Sequence, residues 1–282
     1  MQSSHAVLDV VQAYGQMQEI MSTVMRESRS QLLEGKLLSE VRTFAANRFC
    51  VLTQQVLPEF GVLMSDSSLC RDGSHPALDV WIAINPLDDR GVTGPDSAMV
   101  FGPSMALIRN GQIVASCVGS VYSETIIGTT DEMNHVTVSG TVVMPRVLSG
   151  VPQTNDWEVM TYRPGRSMSK FAKRLQKRQM HGGSETLLKM CGYVWRDCDG
   201  ALILPRATYQ PWEILPIMAI SDALRMRLYP ISAFTQLSYA ARAFRVTRDP
   251  QTVNEEVVLA HADRFDDIVR WLDPNVLPDC LT

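Results

Sequence analysis

The stretch Trp81-Ile82-Ala83-Ile84-Asn85-Pro86-Leu87-Asp88-Asp89-Arg90 runs from apolar residues directly into a proline turn crowded with oxygen-bearing side chains. Hard cations such as Mg2+ take oxygen ligands, and the end of a buried strand is a rigid place to present them. Asn85 is neutral and Arg90 is a cation, so this is a metal site with altered ligands or the remains of one. Read alone, Asp88 is equally a turn or helix-capping residue, and Asn85 is equally a cap.

Other metal chemistries find little support. Cys50, Cys70, Cys117, Cys191, Cys198 and Cys280 form no CxxC pair, and the five histidines form no HxxxH or HExxH motif. A zinc site is not expected. The cysteines read as reduced, mostly buried thiols. Lys170, Lys173, Arg174, Lys177 and Arg178 fall at helical spacing opposite Phe171 and Leu175. A solvated amphipathic helix is the simplest reading. Gripping a phosphorylated ligand, an acidic partner or a nucleic acid is the alternative, although no aromatic interleaving supports base stacking.

These residues need a scaffold, and periodicity outlines one. Helical spacing covers 6–34, through Val7, Val10, Val11, Tyr14, Met17 and Met21. A second helix is predicted over 43–57, closed by Pro58 and Gly61. Val62-Leu63-Met64 is a short strand, and Val80 to Ile84 suits a central strand buried on both faces. Ser104–Ile108 and Gln112–Val118 flank Arg109-Asn110-Gly111, a hairpin signal because Asn and Gly tolerate positive φ. Strands follow at 121–128 and 136–143. Beyond Pro152 come a strand at 158–162, helices at 168–180 and 184–194, a strand at 201–204 and a helix at 212–227. Strands at 241–246 and 257–261 and a helix at 262–272 end the pattern. No repeat or low-complexity linker appears, and a loose seam falls near residue 150. The predicted class is α/β (α+β) in layers: residues 1–150 form a strand-rich half carrying the metal-type motif and 151–282 a second half, in one compact unit with the site between them.

The chain has 282 residues, 45% of them hydrophobic, and a formal net charge of −4. That length is ample for a large core. The mild negative charge favours neither nucleic acid nor an anionic membrane as partner. No apolar run approaches the roughly 20 residues that span a bilayer, and Met1 to His5 lack an apolar signal core. A cytoplasmic protein is expected.

The order of these features resembles the inositol monophosphatase-like superfamily of metal-dependent sugar and nucleotide phosphatases. That family carries Asp-Pro-Ile/Leu-Asp-Gly-Thr after an apolar strand, where this chain has Asn85-Pro86-Leu87-Asp88-Asp89-Arg90. Its Gly-containing loop and hairpin match Phe101-Gly102-Pro103-Ser104 through Arg109-Asn110-Gly111. Its Gly-Ser, strand and Trp-Asp match Gly183-Ser184, Gly200-Ala201-Leu202-Ile203 and Trp212-Glu213. Its closing strand and helix match Glu256 to His261 and Asp263-Arg264-Phe265. The resemblance spans about residues 30–275.

The resemblance implies a layered α-β-α-β-α sandwich of the inositol monophosphatase and fructose bisphosphatase type, and a homodimer. It implies Mg2+-dependent hydrolysis of a small phosphorylated metabolite. Carboxylates and one carbonyl hold the ions, which polarise the ester and activate water. Carried over by position, the metal ligands are Asp66, Asn85, the Leu87 carbonyl, Asp88 and Glu213. Asp88, Arg90 and Asn47 take the catalytic positions, with Ala46 the alternative to Asn47. Asp89, Arg90, Gly91, Gly183 and Ser184 take the substrate-binding positions. Gly183-Ser184 also reads as a helix cap.

Departures are concentrated in the site. Asn85 replaces a bridging Asp, Ser67 a Glu, and Asp89-Arg90 the Gly-Thr that handles phosphate and water. Two Mg2+ ions about 4 Å apart repel, and shared carboxylates offset that repulsion. The remaining acidic residues leave room for one ion at most. Arg90 is suited to hold a phosphate or carboxylate in a metal's place. The readings are a phosphomonoesterase with a degenerate metal site, a pseudophosphatase or repurposed ligand-binding protein, and a same-fold enzyme with non-hydrolytic chemistry.

Overall fold

The computed structural model describes residues 9–65, 79–88, 101–133, 135–143, 158–161, 180–184, 200–236 and 244–271. Two long helices come first, α1 (Val10–Leu33) and α2 (Leu38–Val56). Asp9 caps α1 through its carboxylate, which accepts the Gln12 N–H at 3.0 Å. Seven strands follow in sequence order across one sheet: β1 (Gly61–Met64), β2 (Val80–Asp88), β3 (Gly102–Arg109), β4 (Gln112–Gly119), β5 (Ile126–Thr130), β6 (Val136–Val138) and β7 (Thr141–Val143). Only β1 and β2 pair in parallel; the rest form an antiparallel meander.

A second sheet has the order β12-β14-β10-β8-β9, from β8 (Glu158–Thr161), β9 (Met180–Ser184), β10 (Gly200–Leu204), β12 (Met226–Pro230) and β14 (Val257–His261). Strands β11 (Ala207–Tyr209) and β13 (Gln251–Val253) pair separately. Helix α3 (Pro211–Ala223) lies between the sheets, and α4 (Ile231–Thr235) and α5 (Phe265–Trp271) follow later.

Side-chain parity builds the layers. On β2, Ile82 and Ile84 join Tyr14, Met17, Met21 and Met25 of α1 in one core. Trp81 and Ala83 point the other way, into a core shared with Ile214 and Ile217 of α3 and with Leu202, Leu228 and Leu259 of the second sheet. A third core packs Phe234 of α4 and Phe265 of α5 against Ala201, Ile203 and Val258. The order helix, sheet, helix, sheet, helix is the expected sandwich. Because β2 is buried on both faces it is apolar without alternation.

Turn chemistry set the strand ends. Asn110 (φ 50°) and Gly111 (φ 73°) form the predicted hairpin turn. Ser139 (φ 47°) and Gly140 (φ 81°) do the same, so the predicted strand 136–143 is two strands. Four further expectations need correction. The strand through Val80–Ile84 does not end at Pro86 but continues to Asp88. The helix at 212–227 stops at Ala223, because Arg225 turns the chain at φ 59° and Met226 and Arg227 enter β12. Residues 244–246 are not in a strand, and the closing helix begins as a 3-10 turn at Ala262–Arg264. Of the predicted basic helix 168–180, residues 168–179 lie outside the described residues, as does the seam near 150, and Met180 belongs to β9 instead. No described helix is long and apolar enough to cross a membrane.

Candidate functional site

The motif stretch sits where β2 ends. Asn85 is directly opposite Ser104 on β3, and Asp88 is opposite Gly102. Three steps along β2 thus match two along β3, so β2 carries a bulge between Asn85 and Asp88. Pro86, without an N–H for the ladder, is suited to that position. The bulge reverses the pleat. Asn85 shares parity with Trp81 and Ala83, on the α3 side, yet Leu87 is buried with the α1 and α2 core. Strand β1 runs parallel to β2 and pairs Met64 with Ile84. The chain therefore leaves β1 at Ser65 beside Asn85, at the carboxyl ends of two parallel strands, where open α/β sheets commonly bind ligands.

Two buried polar side chains meet here. Asn85 is 4% exposed and Ser104 fully buried. Neither the Asn85 Nδ2 nor the Ser104 Oγ has a hydrogen-bond partner. Each unsatisfied group costs about 1–3 kcal/mol. Ser104 carried no assigned role in the sequence, because the register of β2 against β3 depends on a long connection. A Ser inside an otherwise apolar strand was its one signal.

Helix α3 approaches the same region. Ser116 on β4, opposite Ala106, donates its buried hydroxyl to the Pro216 carbonyl at 2.9 Å. Ile214 and the residues of α3 from Ile217 onward line a cavity that reaches the Gly111 hairpin tip. Glu213 is 3% exposed, and its Oε2 accepts the Gln210 N–H at 2.9 Å. The carboxylate closes the first turn of its own helix, where the dipole favours negative charge.

The other expected residues are placed as follows. Asn47 is on the exposed side of α2, while Ala46 beside it is buried. Gly183 and Ser184 end strand β9, with Ser184 opposite Thr161, and the helix expected after Ser184 lies outside the described residues. Asp66, Asp89, Arg90 and Gly91 lie outside the described residues. Gly102, opposite Asp88, packs so closely on the Gly119 carbonyl that a Cβ would collide with it. That explains a glycine at this position.

The described donors fit a two-ion Mg2+ centre poorly. Asn85 is neutral, with an amide N–H2 group unpartnered. The Glu213 carboxylate is engaged by the helix terminus. Among the described residues no group of three or more His, Cys, Asp or Glu could hold a metal ion. The buried free groups at Asn85 and Ser104 include hydrogen-bond donors, which suit the oxygens of an anion.

No family model matches the sequence, and no curated protein is similar to it. Solved structures are. Staphylococcal IMPase-II with inositol monophosphate bound superposes with TM-score 0.67 at 14% identity, covering 95% of this chain and 97% of that one. The extragenic suppressor protein SuhB of Bartonella henselae gives 0.64 at 13% identity, covering 90% and 97%. An IMPase/NADP phosphatase complexed with Mg2+ and phosphate gives 0.60 at 11% identity, covering 83% and 81%. From these superpositions along nearly its whole length, the chain has the inositol monophosphatase fold.

Proposed function

We propose that this protein acts on a small phosphorylated metabolite at the end of β2, as a phosphomonoesterase with a reduced metal site. The observation that carries this reading is the Asn85–Ser104 pair: two buried, unpartnered polar groups beside the bulge that leads into Asp88. Asn85 would donate its amide to a phosphate oxygen, and Ser104 its hydroxyl. Arg90, which departs from the Thr of the resembled family, would supply the fixed positive charge that the altered ligand set no longer draws from a second ion. Mg2+, when bound, would supply Lewis-acid polarisation of the ester. Similar structures hold inositol monophosphate, and in one case Mg2+ with phosphate.

A second reading follows from Glu213. With its carboxylate turned into the N-terminus of α3, the chain would bind a phosphorylated ligand without hydrolysing it. A panel of sugar, inositol and nucleotide monophosphates, assayed over a Mg2+ titration, separates the two. Phosphate release lost on Asp88→Asn supports hydrolysis. Saturable phosphate binding without release at any Mg2+ concentration supports the second reading. Absence of both sinks the proposal. A homodimer is part of the same proposal, and light scattering of the eluted protein tests it.

A further inference from the structure

A cavity of about 890 Å³ opens at the other end of α3. Its floor is apolar, from Ile217 of α3 and Leu202, Leu204 and Leu228 of the second sheet. One wall is the β4–β5 edge, from the Gly111 hairpin tip to Asp131. The motif lies at the opposite end of the first sheet. Asp88 is opposite Gly102, whereas Val80 is opposite Arg109, just before the tip. At about 3.4 Å per residue, roughly 25 Å of strand separates the two places. We propose that this cavity is a second binding site, for a small uncharged amphipathic molecule.

Volume and lining match a small-molecule site, which is typically about 300–1,000 Å³ and largely apolar with a few placed polar groups. Charge selects the ligand. The mouth carries Arg225 and Arg227 against Asp131 and Asp222, and Arg227 Nη1 pairs with Asp222 Oδ1 at 2.6 Å. These charges cancel. The C-terminal end of α3, at Ala223, adds the negative pole of the helix, which disfavours an anion. Arg225 disfavours a cation. A neutral body is left as the best fit for the floor.

Ser221 supplies the polar contact. It lines the cavity, is 3% exposed, and its Oγ has no hydrogen-bond partner. A helical Ser commonly returns its hydroxyl to a carbonyl one turn back; here it does not. The Oγ itself is sealed, and a χ1 rotation toward the cavity would let a ligand hydroxyl or N–H satisfy it.

The test uses the full chain and four probes of one shape: benzyl alcohol, toluene, benzoate and benzylammonium. Binding is read from backbone amide shifts at Thr130, Ser221 and Leu228. Benzyl alcohol and toluene should bind, with the two ions at least about tenfold weaker. Ser221→Ala should weaken benzyl alcohol by about tenfold and leave toluene unchanged. Ala219→Trp, which fills the cavity from a half-buried position, should abolish binding of both. Folding of each variant is checked by circular dichroism. The proposal is overturned if no probe shifts these residues at millimolar concentration, if either ion binds tightest, or if folded Ala219→Trp binds as the parent does.

Discussion

Asn85 on β2 and Ser104 on β3 face each other directly across the antiparallel ladder, both buried, and each retains a polar atom without a partner. Opposed side chains in such a pair stand about 4.5–5.5 Å apart at Cβ. Both atoms are sealed from water, so a ligand oxygen would reach them after a side-chain rotation. The pair lies on the α3 side of the sheet, one step before the bulge that turns Leu87 toward α1 and α2.

This arrangement sets function against stability. Asn85→Leu removes an unsatisfied amide from a buried position, so it should stabilise the fold by about 1–3 kcal/mol. It should also abolish phosphate binding. Denaturant unfolding and phosphate calorimetry on the same variant check both. A loss of stability would mean that the amide is satisfied in solution.

Restoring charge should restore metal. Asn85→Asp with Arg90→Thr rebuilds two positions of the Asp-Pro-Leu-Asp-Gly-Thr pattern, and Mg2+ affinity should rise by at least tenfold, about 1.4 kcal/mol. Calorimetric Mg2+ titration measures it. Unchanged affinity would break the positional match on which the metal assignment rests.

Glu213 separates a capping role from a ligand role. Glu213→Gln keeps the acceptor for the Gln210 N–H, so stability should change little. Glu213→Ala should cost about 1 kcal/mol through the lost cap. If Glu213 also holds Mg2+, the Gln variant loses metal dependence while its melting temperature holds.

Gly102→Ala should destabilise by about 1–3 kcal/mol, because the new Cβ meets the Gly119 carbonyl, a backbone atom that cannot rotate away. The strain falls opposite Asp88, so activity should drop more than stability. A melt and a phosphate-release assay give the comparison.

Alkaline pH should weaken the fold. Burial pushes the Cys117 thiol well above its ordinary value of 9.0, and burial likewise raises the Tyr14 hydroxyl above 10.0. With the folded values raised, this stability is complete below the unfolded values and is lost as pH rises beyond them. Each group should add a slope of about 1.4 kcal/mol per pH unit, Cys117 from about pH 9 and Tyr14 from about pH 10. Unfolding free energies between pH 8 and 10.5 test this, and Cys117→Ala should remove the earlier component.

Much of the scaffold was legible because it rests on local rules. The apolar run at 80–84, the Asn110-Gly111 turn and the helical spacing of Tyr14, Met17 and Met21 each reflect backbone geometry within a few residues. The Ser139-Gly140 turn obeys the same rule and went unread, hidden inside an alternating run of Val and Thr. The helix end at Arg225 was not legible, because a basic residue in the left-handed region is a tertiary compromise and not a propensity.

The sequence by itself determined the layer pattern, the position of the motif and its deficit of acidic ligands, since these follow from residue type and order. Tertiary structure alone decided three things: that Asn85 and Ser104 are opposed, that Leu87 turns away from Asn85 at a bulge, and that Glu213 closes its own helix. The reason is physical. Strand register across a long connection and the direction of a buried carboxylate depend on contacts between residues distant in the chain, which local periodicity does not encode.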